Sequence, residues 1–242
     1  MLAMAEMDAS QRRERLKELL LRARACERCS ELAATRRTVV FGAGNADAEL
    51  MFVGEAPGAS EDEQGLPFVG RAGKLLDQLL EEIGLRRADV FIANTLKCRP
   101  PGNRDPLPLE IDNCQEYLLG QVELIQPSVI CTLGNFSTKL LRADPTGITR
   151  LHGQPERRVI GERAVWLYPL YHPAAALYTP RMLETLREDF ARIPALLARG
   201  APEQPVDLEL PAEPEPEEAA SGGPEPELAA QASAAADQLG LF

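Results

Sequence analysis

The chain has 242 residues, 45% of them hydrophobic, and a formal net charge of −11, which supplies one substantial core and little material for a second. No stretch approaches the roughly 18 consecutive apolar residues of a membrane span, and no basic-then-apolar leader opens the sequence. A cytoplasmic protein with no membrane partner is expected. The acidity is unevenly placed: residues 201–242 hold ten acidic side chains and no Lys or Arg, leaving 26 basic and 27 acidic residues before them. The first 200 positions are therefore near neutral, and a local basic surface able to follow a nucleic-acid backbone remains open to them.

Residues 1–11 read as a flexible start. Residues 11–24 alternate Arg, Glu and Leu with helical periodicity, placing Leu16, Leu19 and Leu20 on the buried side. Leu50-Met51-Phe52-Val53 is a short apolar run ending in Gly54-Glu55-Ala56-Pro57-Gly58, the pattern of a buried strand that opens into a constrained loop. From Gly73 a helix is predicted with Leu75, Leu76, Leu79, Leu80 and Ile83 on one face, stopped by Gly84. Strands are expected at Val90–Ala93 and Val129–Leu133, a helix over 109–124 between them, further strand runs at Val159-Ile160 and Val165–Leu170, and a last helix from Arg181 to Ala198. Strands alternating with amphipathic helices predict a three-layer α/β/α domain over residues 12–200, built on a largely parallel sheet. From residue 201 the composition turns to Pro, Glu and Ala, which predicts a disordered acidic tail over 201–242.

Four of the five cysteines form a constellation. Cys26 and Cys29 make a C-x-x-C pair, Cys98 and Cys114 lie downstream, and Cys131 sits in an apolar run that assigns it to the core. Two thiolates from one turn and two from elsewhere can complete four-coordination, of zinc or of an iron-sulfur cluster; spacing does not choose between them. The alternative is that Cys98 and Cys114 are unrelated thiols.

Ligands of a parallel sheet bind beyond the carboxyl ends of its strands. That rule selects Glu55 after the first strand, Asn94 after the second and His172 after the last. Glu55 could position or activate a water, or be a surface carboxylate in a turn. Phe68, in a Gly/Pro-rich stretch, could stack on a base or plug the core. Asn94 carries the donor and acceptor pair that reads a pyrimidine edge, or caps the next element. His172 could donate to an oxygen that gains negative charge, or be a core histidine.

Together GEAPG at 54–58, GLPFVGRAGKLLD at 65–77, NTLKCRPPGNRDP at 94–106, YHP at 171–173 and the four cysteines resemble the family 4 uracil-DNA glycosylases, over about residues 12–198. The resemblance implies a four-stranded parallel sheet with helices on both faces, a [4Fe-4S] cluster on Cys26, Cys29, Cys98 and Cys114, and hydrolysis of the N-glycosidic bond of deoxyuridine in single- or double-stranded DNA. By it Phe68 lies against the flipped uracil, Asn94 reads its polar edge, His172 stabilises the uracil anion, and Glu55 and Asn103 stand near the attacked carbon and the water. Other uracil glycosylases have Gln-Asp-Pro-Tyr after the first Gly of this motif. Here Ala56 stands where they have a water-orienting Asp, and Gly58 where they have a thymine-excluding Tyr.

Arg99, Arg104, Arg150, Arg157 and Arg158 are candidate phosphate contacts. A monomer associated with the nucleoid is expected. Gln238-Leu239-Gly240-Leu241-Phe242 resembles the pentapeptide by which bacterial repair proteins dock on the sliding clamp, with Gln238, Leu239, Leu241 and Phe242 as the anchoring side chains. Two other functions stay open: a non-catalytic iron-sulfur DNA-binding or sensor module, and a glycosylase for another deaminated or mismatched base. Convergence of Glu55, Asn94 and His172 on a pyrimidine-sized pocket walled by Phe68 separates the enzyme from the module.

Overall fold

The structure, a computed structural model, describes residues 7–205. Residues 1–6 and 206–242 lie outside it, and with them the docking pentapeptide Gln238, Leu239, Leu241 and Phe242 and nearly all of the acidic tail. The strands are β1 (Ala43–Gly44), β2 (Leu50–Gly54), β3 (Phe91–Asn94), β4 (Val129–Leu133), β5 (Glu156–Ile160) and β6 (Arg163–Leu170). The helices are α1 (Ala9–Arg24), α2 (Ser30–Thr35), α3 (Ala59–Gln64), α4 (Arg71–Glu82), α5 (Pro108–Ile125), α6 (Asn135–Arg142), α7 (Ile148–Leu151), α8 (Pro173–Ala176), α9 (Pro180–Phe190) and α10 (Ile193–Leu197). No described helix is long and apolar enough to cross a membrane.

The sheet order is β1-β3-β2-β4-β6-β5. The expected four-stranded parallel sheet is its middle, β3-β2-β4-β6. The whole sheet is six-stranded and mixed, because β1 and β5 pair antiparallel at the two edges. For β5 the cause is local: only Gly161 and Glu162 separate it from β6, Gly161 takes a φ of 63°, and so short a turn can join only antiparallel strands.

Side chains alternate across the central strands and feed two cores. Leu50 and Phe52 face one side with Leu75, Leu76, Leu79 and Leu80 of α4 and Leu186 and Phe190 of α9. Met51 and Val53 face the other with Leu16 and Leu19 of α1 and Leu118 and Val122 of α5. Helix α1 starts earlier than its periodicity suggests, since Asp8 accepts from the backbone N–H groups of Ser10 and Gln11 while Gln11 reaches back to the Asp8 N–H. The single last helix expected from Arg181 to Ala198 is two helices. Pro194 has no N–H to continue the ladder, so the chain breaks after Phe190 and restarts at Ile193.

One close approach fixes the loop between α3 and α4. Gly73 lies so near the Phe68 carbonyl that a Cβ there would fall 1.7 Å from the Phe68 oxygen, and backbone cannot yield as a flexible side chain can. Gly73→Ala is therefore expected to lower unfolding stability by about 3 kcal/mol or more, measured by urea denaturation; a loss under about 1 kcal/mol, the helix-propensity range, would contradict this reading.

Candidate active site

The carboxyl ends of β2, β3 and β6 open onto one cavity of about 470 Å³. Glu55, Ala56, Phe68, Asn94, Asn103 and His172, all singled out in the sequence, line it. Asn94 is the last residue of β3 and is 2% exposed. Beneath it lies Lys97, whose Nζ donates to the Asn94 backbone carbonyl at 2.8 Å and to Gln121 Oε1 at 2.7 Å. Gln121 in turn donates to the Phe41 carbonyl at 2.9 Å. Burial pushes the Lys97 amine down to about 8, which leaves it mostly charged near neutrality, and the two acceptors compensate that charge.

His172 caps the short helix α8: its Nδ1 accepts the Ala174 N–H at 3.1 Å. That bond fixes the tautomer, so the ring proton sits on Nε2, the nitrogen left to donate. Burial pushes the imidazole down to about 4, opposed by the charge of Glu61. Its ring stacks on Phe68 with centroids 5.5 Å apart. The adjacent Tyr171 packs against His152 at 4.5 Å, and His152 Nδ1 pairs with the buried Asp189 at 2.8 Å.

Glu55 follows β2. Burial, and after it the Asp105 carboxylate, raises its carboxyl above the usual carboxylate range. Asn103 takes a positive φ of 55°, and its Oδ1 accepts from Arg99 Nε at 2.7 Å, so the amide offers its N–H₂ as the free face. Arg104 lines the cavity while bonded to Glu110 and Glu31, both at 2.7 Å. Arg150, Arg157 and Arg158 do not line it; Arg158 pairs with Glu156, and Arg157 donates to the Glu203 carbonyl.

Three contributors went unread in the sequence. Glu61 of α3 lines the cavity and accepts from the Val69 and Gly70 N–H groups, both at 2.9 Å. Lys97 supports Asn94, and Arg87 donates to the carbonyls of Phe68 and Pro67. A signal for Lys97 existed: a lysine set between Leu96 and Cys98 directly after a buried strand.

Comparison with known proteins bears on this arrangement. Residues 41–194 match the family model of the uracil DNA glycosylase superfamily. A type-4 uracil-DNA glycosylase of Archaeoglobus fulgidus is 44% identical over 193 residues, covering 78% of this chain and 96% of that protein. Those of Saccharolobus solfataricus and Thermotoga maritima are 47% and 44% identical, covering 72% and 68% of this chain and 83% and 85% of the relatives. The chain belongs to the type-4 uracil-DNA glycosylases.

The cysteine expectation is corrected. Cys26, Cys29, Cys98 and Cys114 line one small recess with Arg36, Lys97 and Tyr117, so their convergence was legible in this type-4 glycosylase. Among the described residues, however, no group of three or more His, Cys, Asp or Glu side chains is placed to hold a metal ion, against the [4Fe-4S] cluster expected there. Three of the four sulfurs meet protein donors: Arg36 Nη1 stands 3.2 Å from Cys98 Sγ, the Lys97 N–H 3.3 Å from Cys114 Sγ and Asn113 Nδ2 3.6 Å from Cys29 Sγ. Burial also pushes the Cys98 thiol up and the Cys114 thiol to about 11, whereas at Cys26 the hydrogen bonds of Tyr117 and Arg28 outweigh burial and lower it. Cys131 is fully buried in β4, as assigned.

The neutral His172 has a consequence for stability. A histidine at about 4 when folded and at its ordinary 6.5 when unfolded gives stability that is complete above 6.5 and is lost as pH falls through 4, up to about 3 kcal/mol. Thermal unfolding between pH 7 and 4 is expected to show a smaller acid loss for His172→Gln than for the parent protein; equal losses would contradict the assignment.

Proposed function

We infer that this protein hydrolyses the N-glycosidic bond of deoxyuridine in DNA, releasing uracil and leaving an abasic site, the opening step of base excision repair. The observation that carries the inference is the convergence, in a type-4 glycosylase chain, of Glu55, Phe68, Asn94 and His172 on one cavity of about 470 Å³ at the sheet rim, room enough for a flipped nucleotide. A base inside a duplex is out of reach of such a cavity, so the nucleotide must flip, at a few kcal/mol of unstacking that a G·U mismatch or a single strand lowers.

Each group then has a task suited to its environment. Phe68 supplies a flat wall for the base. Asn94, held from below by Lys97, offers an amide donor and acceptor to the uracil edge. Bond cleavage builds negative charge on uracil and positive charge on the sugar. His172, neutral and protonated on Nε2, donates to the departing base without having to lose a proton. Glu55 faces the sugar side; its raised carboxyl is a stronger base than an ordinary glutamate, suited to drawing a proton from the attacking water and to stabilising the oxocarbenium-like sugar. Asn103, with its carbonyl taken by Arg99, contributes amide donors near the water or the adjoining phosphate. Arg104, which lines the cavity, and Arg99, bonded to the cavity residue Asn103, are the candidate phosphate contacts.

The pentapeptide ending in Phe242 supports a second attachment, to the bacterial sliding clamp. Gln238, Leu239, Leu241 and Phe242 provide the polar and apolar anchors, and the acidic residues before them keep that segment off phosphates by like-charge repulsion. The protein would then act as a monomer among nucleoid-bound repair proteins.

Base release from oligonucleotides carrying one uracil, single-stranded or opposite guanine, tests the activity. The parent protein is expected to release uracil and leave an alkali-labile site, with His172→Ala and Asn94→Ala each slower by about 10²–10³-fold. The acid limb of the rate profile should lie above the usual carboxylate range and disappear in Glu55→Gln. No release by the parent protein would refute the function.

A further inference from the structure

We propose that His152, held by Asp189, is a positioning residue for His172 that acts through Tyr171, a role that rests on the uracil-glycosylase reading. His172 can donate to a departing base only from a fixed place, yet it stands just past the point where the sheet releases its strand. The pairing of β6 with β4 ends at Leu170 and Leu133. There the Gly153 N–H donates to the Pro169 carbonyl and the Gly134 N–H to the Leu170 carbonyl, both at 2.9 Å. Phe68 steadies the His172 ring by stacking on it. The residue before it is steadied by a different contact, the Tyr171 ring against the His152 ring with centroids 4.5 Å apart. His152 does not line the cavity, so it reaches the reaction only through its neighbours.

His152 is itself anchored. A carboxylate only accepts, so the 2.8 Å contact with Asp189 Oδ2 places the proton on His152 Nδ1 and sets the plane of its ring. Asp189, 2% exposed, belongs to the last turn of α9. Its backbone carbonyl accepts the hydroxyl of Tyr168 in β6 at 2.9 Å. Gly153 makes room for the carboxylate: it holds a φ of 71°, and a Cβ there would fall 2.3 Å from Asp189 Oδ1. Arg192 closes the clamp, its Nη1 donating to the Gly153 carbonyl at 3.3 Å and standing 3.7 Å from Asp189 Oδ1. A carboxylate this deeply buried is costly without its donors, which ties the His152 ring to α9 and β6. A staple between α9 and residue 152 would need only a hydrogen-bond donor there. The aromatic ring, spent on Tyr171, is what a staple leaves unused.

The test compares full-length parent protein, His152→Asn and Asp189→Asn in single-turnover release of uracil opposite guanine. The rate constant at saturating protein is read separately from the half-saturating protein concentration. In His152→Asn the amide can still donate to Asp189 but offers no ring to Tyr171. A misplacement of about 1 Å can cost about 10²-fold in rate, so this variant is expected to be slower by about 10- to 100-fold with its half-saturating concentration unchanged. Asp189→Asn keeps an acceptor for His152 Nδ1 and leaves the ring in place, and it is expected to retain most of the parent rate. The chain has two histidines, so NMR of His152→Asn carrying isotope-labelled histidine reports His172 alone, and its Nε2 signal is expected to shift from the parent position. A parent rate constant in His152→Asn would overturn the role whatever happens to its melting temperature, and so would equal slowing of both variants. A raised half-saturating concentration with the rate constant unchanged would make His152 a DNA contact and overturn it too. Should His152→Asn fail to fold, Tyr171→Leu removes the same ring contact from the other side and is read in the same way. Absence of release by the parent protein would refute the glycosylase reading itself, while the His172 signal would still show whether His152 positions it.

Discussion

Phe68 holds a left-handed backbone, with φ of 52°, a conformation that costs a side-chain-bearing residue about 1–2 kcal/mol, and the base cavity depends on what keeps it there. Gly73 lets α4 close onto its carbonyl. Arg87 donates to that carbonyl at 2.9 Å and pairs with Asp77 of α4 at 3.1 Å. Glu61 takes up the next two N–H groups. The Phe68 ring therefore stands where it can stack with His172, so two side chains that line the cavity form one packed unit. Strain at one residue is offset by polar contacts from Arg87 and Glu61 and by the close packing at Gly73, which is how an aromatic platform can be rigid without lying on a strand or helix.

The polar groups around that platform differ because their surroundings differ. His172 is kept neutral by burial and given a single donor by its bond to the Ala174 N–H. Glu55 is made more basic by burial and a second carboxylate. Lys97 is buried but charged, and spends that charge on the Asn94 carbonyl and Gln121. A reaction that separates charge between base and sugar calls for groups of this kind, fixed beforehand so that none must reorganise as the bond breaks.

Much of this was legible because strand ends are local features. The apolar runs before Glu55, Asn94 and Tyr171-His172 located the rim, and the rim rule brought their side chains to one cavity. What sequence could not carry was set by partners distant along the chain. Arg87 reaches back to Phe68 and Pro67, Gln121 reaches Lys97, and Asp189 holds His152 behind Tyr171; none of these has a spacing signature. The edge strand β5 was underread because its exposed face, with Arg157 and Val159, breaks the apolar pattern of a central strand. The cysteines show the limit most clearly. Spacing foretold their meeting in one recess, but not the Arg36, Lys97 and Asn113 donors that meet the sulfurs there, nor a ligand geometry that the described residues do not provide.

The central claim is that a flipped uracil occupies the space between Phe68, Asn94 and His172. The most direct measurement is a crystal structure of the protein bound to DNA carrying a deoxyuridine analogue whose glycosidic bond cannot be cleaved. The account predicts the uracil ring stacked on Phe68, its amide edge hydrogen-bonded to the Asn94 side chain, and His172 Nε2 within hydrogen-bond distance of a uracil oxygen. A base that stays in the helix, or that binds away from this cavity with His172 Nε2 bonded elsewhere, would contradict it.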